Sequence, residues 1–382
     1  MNIRCSGCGA KIQTENINEP GYISKDVYLK HKDGDFYCKR CFDLKHYNKN
    51  IVFDVSDDEY EKNIKEILKG KGLIVYIVDA FDLDGTFIGN INEMFKNDNI
   101  LLVLNKIDLF LNSLNREKLS QYIRRFIKDA GLKVIDLFMM SSLKDDDIDL
   151  LIEKIKSIKD DNPRLKRKNV YFVGMTNVGK STIINKIIKK YQNIDDLITV
   201  SNNVNTTLSN IYIPFDEYSY LVDTPGLINK GSLIYYLDNE SYKAITPRGY
   251  IKPKTFQLNV GQTLFIAGFV RIDYLGDDSA NDDHKKASFI TNFSNDLLIH
   301  RTKMVNADSF YENHLDDILK YPNEMERVKL GKIKSDVISF NLDKKIDISI
   351  FGIGYVSIYG EGKVRISTFE NIKWKERNAI IW

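Results

Sequence analysis

The run Gly174-Met175-Thr176-Asn177-Val178-Gly179-Lys180-Ser181 constrains this chain more than any other stretch. It fits G-x-x-x-x-G-K-[ST], a loop whose backbone N–H groups close around phosphate oxygens. Val170-Tyr171-Phe172-Val173 before it reads as a strand, and Thr182-Ile183-Ile184-Asn185-Lys186-Ile187-Ile188 after it has helical spacing. Strand, glycine loop and helix together make a phosphate site, with the helix N-terminus adding partial positive charge. Lys180 is placed to reach the β- and γ-phosphates and Ser181 to hold Mg²⁺. Asn177, Val178, Gly179, Lys180, Ser181 and Thr182 make up the predicted nucleotide-binding run. A chance glycine turn before a helix is the bland alternative, and both flanks argue against it. Such a loop normally begins a domain, yet here it lies in mid-chain.

Two further motifs precede it. Leu73-Ile74-Val75-Tyr76-Ile77-Val78 is a near-continuous apolar run ending in Asp79, as expected of a strand buried on both faces of a parallel sheet. Ile100-Leu101-Leu102-Val103-Leu104 is a second, and it ends in Asn105-Lys106-Ile107-Asp108. A carboxylate at Asp108 can accept from both the ring N–H and the exocyclic amine of guanine. Adenine would leave it unpaired, so the motif selects GTP over ATP. Lys106 is expected over the base plane, with Asn105 bracing the loops. A third run, Val134-Ile135-Asp136-Leu137-Phe138-Met139, ends in Ser141-Ser142-Leu143-Lys144. Ser141 and Ser142 are expected to offer backbone contacts to the guanine oxygen.

Helical periodicity separates the strands. Residues 57–69 read as an amphipathic helix; Leu119, Tyr122, Ile123, Phe126 and Ile127 share one face, as do Leu151, Ile152, Ile155 and Ile158. Alternating strands and helices predict a doubly wound α/β sheet with ligands at the strands' carboxyl ends, where every polar motif here falls. The polar stretch of residues 160–168 is expected to join two halves of one sheet. After the phosphate loop come Asn205-Thr206-Thr207-Leu208, then Tyr218-Ser219-Tyr220-Leu221-Val222 leading into Asp223-Thr224-Pro225-Gly226. Asp223 is placed as an Mg²⁺-associated carboxylate, directly or through water, and the Gly226 N–H to meet the γ-phosphate. Thr207 would bind Mg²⁺ only while the γ-phosphate holds its loop, which makes a switch.

All four cysteines of the 382 residues form two C-x-x-C pairs, Cys5/Cys8 and Cys38/Cys41. This predicts a closed, structural Cys₄ zinc site. Two disulfides or a redox pair are the alternatives; disulfides fit poorly with a cytosolic chain, and a redox motif needs only one C-x-x-C. Metal would supply the folding energy that so short a segment lacks, on the order of 10 kcal/mol. Arg4, Lys11, Lys39, Arg40 and Lys45 could meet phosphates or be ordinary solvated charges. With 43% hydrophobic and 28% charged residues the composition is that of a soluble globular chain, and a net charge of +2 neither demands nor excludes nucleic acid. No apolar run nears the roughly 20 residues of a membrane span. Met1-Asn2-Ile3-Arg4 runs straight into a cysteine motif. A cytoplasmic protein without membrane contact is expected.

The nucleotide motifs resemble those of translation-factor-type GTPases, in rotated order: N-K-x-D, serine loop, phosphate loop, threonine, D-x-x-G. This is a circular permutation, tolerable because the ends of an α/β sheet lie close together. With the two C-x-x-C pairs, the chain resembles the YqeH family of ribosome-assembly GTPases. The likeness reaches Thr246-Pro247, Gly261-Gln262-Thr263-Leu264-Phe265-Ile266 and the region of Gly352-Ile353-Gly354. It implies a GTP-hydrolysing switch on the assembling small (30S) subunit, and a monomer is expected. It departs at Val204-Asn205, where the family has Pro-Gly, so Thr206 and Thr207 both stay open as the switch ligand. It also implies that Asn177 coordinates K⁺ beside the phosphates, in place of an arginine finger. Leu227 stands where Ras-type enzymes carry the water-positioning glutamine, so slow intrinsic turnover is expected, raised by K⁺ and a docked partner. Leu227 could equally be packing on the switch segment.

From about residue 245 the period changes to two. Phe256, Leu258 and Val260 alternate; so do Ile346, Ile348 and Ile350, then Val356 and Ile358, then Val364 and Ile366, with glycines between. This predicts antiparallel hairpins, with one helix over residues 309–320 and an exposed loop over 276–286. Arg248, Lys252, Lys254 and Arg271 are candidate RNA contacts. The expected division is a zinc module (1–50), a permuted GTPase domain (51–240) and a β-rich RNA- or ribosome-binding domain (241–382). A zinc enzyme using nucleotide hydrolysis on tRNA or a small substrate is the rival, but no second cluster of nucleophiles, acids or bases supports it. A nucleic-acid binder with an inert nucleotide site is the third reading, and intact Lys180, Asp223 and Asp108 argue against it.

Overall fold

The computed structural model describes residues 11–15, 21–30, 38–39, 71–88, 99–110, 115–191, 211–224, 226–277 and 286–380. The helix expected over 57–69, Cys5, Cys8, Cys41, Thr206, Thr207 and most of the 276–286 loop lie outside these residues. Near the N-terminus, Gln13 pairs with Tyr22 in an isolated bridge, Lys25–Lys30 forms α1, and Cys38 is buried.

A six-stranded sheet follows, built from β1 (Leu73–Asp79), β2 (Asn99–Asn105), β3 (Asp136–Met139), β4 (Val170–Gly174), β5 (Ile211–Asp216) and β6 (Ser219–Asp223), in the order β3-β2-β1-β4-β6-β5. Five strands are parallel, and β5 runs antiparallel on the edge as a hairpin with β6. β4 pairs with β1 from Leu73↔Val170 to Ile77↔Gly174, so the sheet is continuous across the 160–168 connector. The strand period of two sorts side chains onto two cores. Ile74, Tyr76, Val78, Ile100, Leu102 and Leu104 face one way; Leu73, Val75, Ile77, Leu101 and Val103 face the other.

Each face is covered by helices the periodicity announced. In α3 (Arg116–Asp129), Leu119, Ile123 and Ile127 recur every four residues and are buried, while Asn115 caps the first turn by accepting from the Lys118 N–H at 3.0 Å. In α4 (Asp145–Asp161), Ile148, Leu151, Ile152, Ile155 and Ile158 are buried, and three aspartates in the first turn suit the helix dipole. The phosphate-loop helix is α5 (Lys180–Tyr191). A one-turn helix, α2 (Leu83–Thr86), follows β1.

The C-terminal region holds two five-stranded antiparallel sheets around one core. The first, in spatial order, is Trp374–Asn378 (β16), Ile346–Ile350 (β13), Gly354–Tyr359 (β14), Lys286–Phe293 (β10) and Lys254–Asn259 (β7). The second is Ile299–Lys303 (β11), Gln262–Ile266 (β8), Val270–Gly276 (β9), Gly362–Phe369 (β15) and Ile333–Phe340 (β12). The alternating runs are strands, but two expected hairpins are not hairpins. β7 and β8 belong to different sheets, as do β14 and β15. Gly261 (φ 77°) between β7 and β8, Gly360 (145°) between β14 and β15, and Gly362 (129°), which opens β15, turn corners from one sheet to the other. The expected helix over 309–320 is also corrected. α7 spans Ala307–Asn313, and α8 (Glu324–Leu330) begins beyond Pro322, where Asn323 and Glu326 form a reciprocal capping box.

The two regions are fastened at α2. Asp82 accepts the Gly352 N–H at 3.0 Å, and Arg377 pairs with Asp84 and, at 3.5 Å, with Asp347. Asn229 donates to the Gly85 carbonyl (2.7 Å), and the Leu233 N–H to the Phe351 carbonyl (2.9 Å). Phe81 packs on Tyr355, their ring centres 5.4 Å apart. Among the described residues, no helix is long and apolar enough to cross a membrane.

Candidate nucleotide site

The carboxyl ends of β1, β2, β4 and β6, with the turn after β3, bring the sequence motifs to one edge of the sheet, as chain crossings in such sheets do. The phosphate loop leaves β4 at Gly174, which lies so close to the Ile77 carbonyl that a Cβ would sit 2.6 Å from it. At Gly179 (φ 91°) a Cβ would fall 2.2 Å from the Asn105 amide nitrogen. Only glycine fits there, and its absent side chain is what lets the guanine-motif asparagine touch the loop.

Asn105 is fully buried and bridges three segments. It donates to the Val178 carbonyl at 2.8 Å and accepts the Ser142 N–H at 2.8 Å, and its amide also reaches the Ser142 hydroxyl at 3.2 Å. Ser141 gives its own N–H to Asp147 at 2.7 Å. Both N–H groups thus have partners within the protein, and these tie the serine loop to Asn105 and to the first turn of α4. Asp108 sits in a short 3₁₀ turn, and its buried Oδ1 has no hydrogen-bond partner among the described residues. A buried carboxylate oxygen without a donor is costly.

Lys106 precedes the 3₁₀ turn that carries Asp108. Its backbone is left-handed (φ 66°) and its ammonium pairs with Asp79 Oδ2 at 2.6 Å. Burial works against the Lys106 charge, but the Asp79 carboxylate outweighs it and raises the pKa. Asp79, ending β1, also accepts the Phe81 N–H at 2.8 Å and the Asp82 N–H at 3.3 Å. Sequence reasoning left Asp79 without a role, although an acid closing a wholly buried strand was the visible signal.

Lys180 is buried and donates to both Asp223 and the Thr224 carbonyl. The D-x-x-G segment lies on the phosphate loop. The Leu227 N–H reaches the Gly174 carbonyl at 3.1 Å, the Thr176 N–H reaches the Leu227 carbonyl at 2.7 Å, and a Cβ on Gly226 would stand 3.2 Å from Thr176. The Leu227 side chain packs against the core beneath. Ser181, on the first turn of α5, and Asp223 offer hard oxygen donors that suit Mg²⁺. Asn177 is left-handed (φ 64°), and its Oδ1 accepts from the Tyr242 hydroxyl at 3.2 Å. Tyr242 belongs to no motif and was not foreseen. Val178 is buried against the sheet, and Thr182 follows Ser181 into α5. Of the candidate RNA contacts, Arg271 is held by Asp273 and Asp308, whereas Arg248, Lys252 and Lys254 are exposed.

Comparison with known proteins agrees with this edge. Residues 91–232 match the family profile described as "RsgA GTPase", residues 169–329 that of "50S ribosome-binding GTPase", and residues 286–380 "YqeH-like, C-terminal". The chain is 38% identical to "Uncharacterized protein YqeH" of Bacillus subtilis (strain 168), over 94% of this chain and 93% of that one. It is 27% identical to "NO-associated protein 1, chloroplastic/mitochondrial" of Arabidopsis thaliana, over 94% and 70%. It is 28% identical to "GTPase Der" of Karelsulcia muelleri, over 47% and 40%. Motif geometry and likeness along nearly the whole length agree: this chain belongs to the YqeH family, and it is a GTP-hydrolysing enzyme that takes GTP and GDP with Mg²⁺.

Proposed function

We propose that this GTPase is a switch in ribosome assembly that binds the small (30S) subunit or its rRNA in a nucleotide-dependent way. The YqeH likeness along the whole chain supports this, since that family resemblance implies the small subunit. The observation that carries it is the short path from the switch to the C-terminal sheets. The segment after Asp223 runs through Asn229 and Leu233 into hydrogen bonds with Gly85 and Phe351. A change at the γ-phosphate therefore has few residues to cross before it reaches a surface that could bind RNA.

In this reading Asn105, Lys106 and Asp108 select guanine, with Ser141 and Ser142 shaping its pocket. The run from Asn177 to Thr182 cradles phosphates, and Lys180 leaves Asp223 for the β- and γ-phosphates. Ser181, Asp223 and a switch threonine (Thr207 before Thr206) hold Mg²⁺, and the Gly226 N–H senses the γ-phosphate. Asn177 takes K⁺, which supplies positive charge that Leu227 cannot replace by ordering water. Cys5, Cys8, Cys38 and Cys41 close a structural zinc site, and residues 1–50, 51–240 and 241–382 act as zinc, GTPase and RNA-binding parts of a monomer.

Sedimenting ribosomal subunits with the protein and GTP analogue, GDP or no nucleotide tests this. Co-migration with small subunits in one nucleotide state is expected. Association with large subunits would reassign the partner, and association with neither would remove the proposal.

A further inference from the structure

Tyr242 occupies an unusual place. It lies on α6 (Asn239–Ile245), beyond the last nucleotide motif, yet its hydroxyl donates to Asn177 Oδ1 in the phosphate loop at 3.2 Å. On its other side, α6 is gripped by the C-terminal region. Glu326 of α8 is 1% exposed; it accepts the Ser241 hydroxyl and the Asp238 N–H, both at 2.7 Å. Asn323 donates to Asp238 at 2.7 Å, and the Tyr321 hydroxyl to Glu240 at 3.0 Å. Ser241 is fully buried, and Ile245 sits in the core between the two C-terminal sheets.

Resting on the K⁺ reading of Asn177, we infer that Tyr242 is a positioning residue for GTP hydrolysis, through which the C-terminal domain sets the geometry of the phosphate loop. A carboxamide oxygen has two acceptor sites. The phenol, donating to one of them, orients the amide oxygen within the phosphate loop. Asn177 holds a left-handed backbone in the loop, a conformation asparagine adopts readily. Ser241 and Tyr242 are adjacent. A movement of α8, on which Glu326 is carried, shifts α6 and with it the phenol. The chain of contacts is therefore Glu326, Ser241, Tyr242, Asn177.

The test uses full-length protein, with GTP turnover measured across a K⁺ series and fluorescent GDP binding measured beside it. Tyr242→Phe keeps the ring and removes one hydrogen bond, so kcat is expected to fall about three- to tenfold. Half-maximal activation should need several-fold more K⁺, while GDP affinity stays within about twofold. Ser241→Ala should show the same split in weaker form, and the double variant should be no worse than Tyr242→Phe, because both act through one chain of contacts. Unchanged kcat and K⁺ response in Tyr242→Phe would overturn the inference. Equal loss of kcat and GDP affinity with a lowered melting temperature would also overturn it, by marking a purely structural role. If wild-type rates are equal in K⁺ and Na⁺, the cation reading fails separately. Tyr242 is then judged on kcat: a several-fold fall at unchanged KM sustains its positioning role, and a wild-type rate removes it.

Discussion

Asn105 and Val178 are 73 residues apart in the chain, yet the Asn105 amide donates to the Val178 carbonyl at 2.8 Å. The guanine-reading strand end and the phosphate loop are thereby one unit, although the motif order separates them. Asn105→Ala would strand the Val178 carbonyl and the Ser142 N–H, at about 1–3 kcal/mol for each buried group left unpaired. GDP affinity is expected to fall by roughly ten- to a hundredfold, and the melting temperature to drop. Calorimetric titration with GDP and a thermal melt check this; affinity within twofold of wild type would contradict it.

The orphaned Asp108 oxygen predicts a specificity change. Asp108→Asn replaces an acceptor with an N–H donor that opposes the guanine amine but matches the carbonyl of xanthine. GTP affinity should fall at least a hundredfold, while xanthosine triphosphate binding rises. Competition against fluorescent GDP reads both.

Asp82 predicts a pH dependence. Burial, and then the neighbouring Asp79 charge, push its carboxyl up to about 8, against the Gly352 N–H and Lys106; Asp84 adds to the rise. In the unfolded chain it titrates near 3.8. Between these values the folded state holds a proton that the unfolded state has lost, so stability is full below pH 4 and declines as pH rises through 8. Asp82→Asn should flatten this part of the profile. Melting temperatures from pH 5 to 9 test the sign, and a wild-type curve rising at Asp82's expense relative to the variant would contradict it.

The monovalent-cation reading stands on Asn177. Hydrolysis in K⁺ should exceed that in Na⁺ by at least tenfold, and Asn177→Ala should erase the difference. Equal wild-type rates in the two salts, with Asn177→Ala neutral, would remove it.

The parallel sheet was legible because its strands are buried on both faces, so apolar runs ended by polar residues marked both strand and site. Asp79, Asn105, Gly174 and Asp223 all stand where such runs stop. The C-terminal strands were legible as strands but not as partners. Period two shows that Leu258 and Leu264 face a core, and says nothing of which sheet each joins. Tyr242 was invisible, because an aromatic residue in a short helix usually signals packing, and its partner lies 65 positions away. The partners of the serine-loop amides, Asp147 and Asn105, were not legible either, because both stand on other elements.

The central claim is that the nucleotide state reaches the C-terminal sheets through the segment after Asp223. Hydrogen exchange measured on the full-length protein with GDP and with a non-hydrolysable GTP analogue tests it most directly. The account predicts a change in protection across residues 227–250 and in α8, beside Glu326, between the two states. Identical exchange in both segments, with both nucleotides bound to saturation, would contradict it.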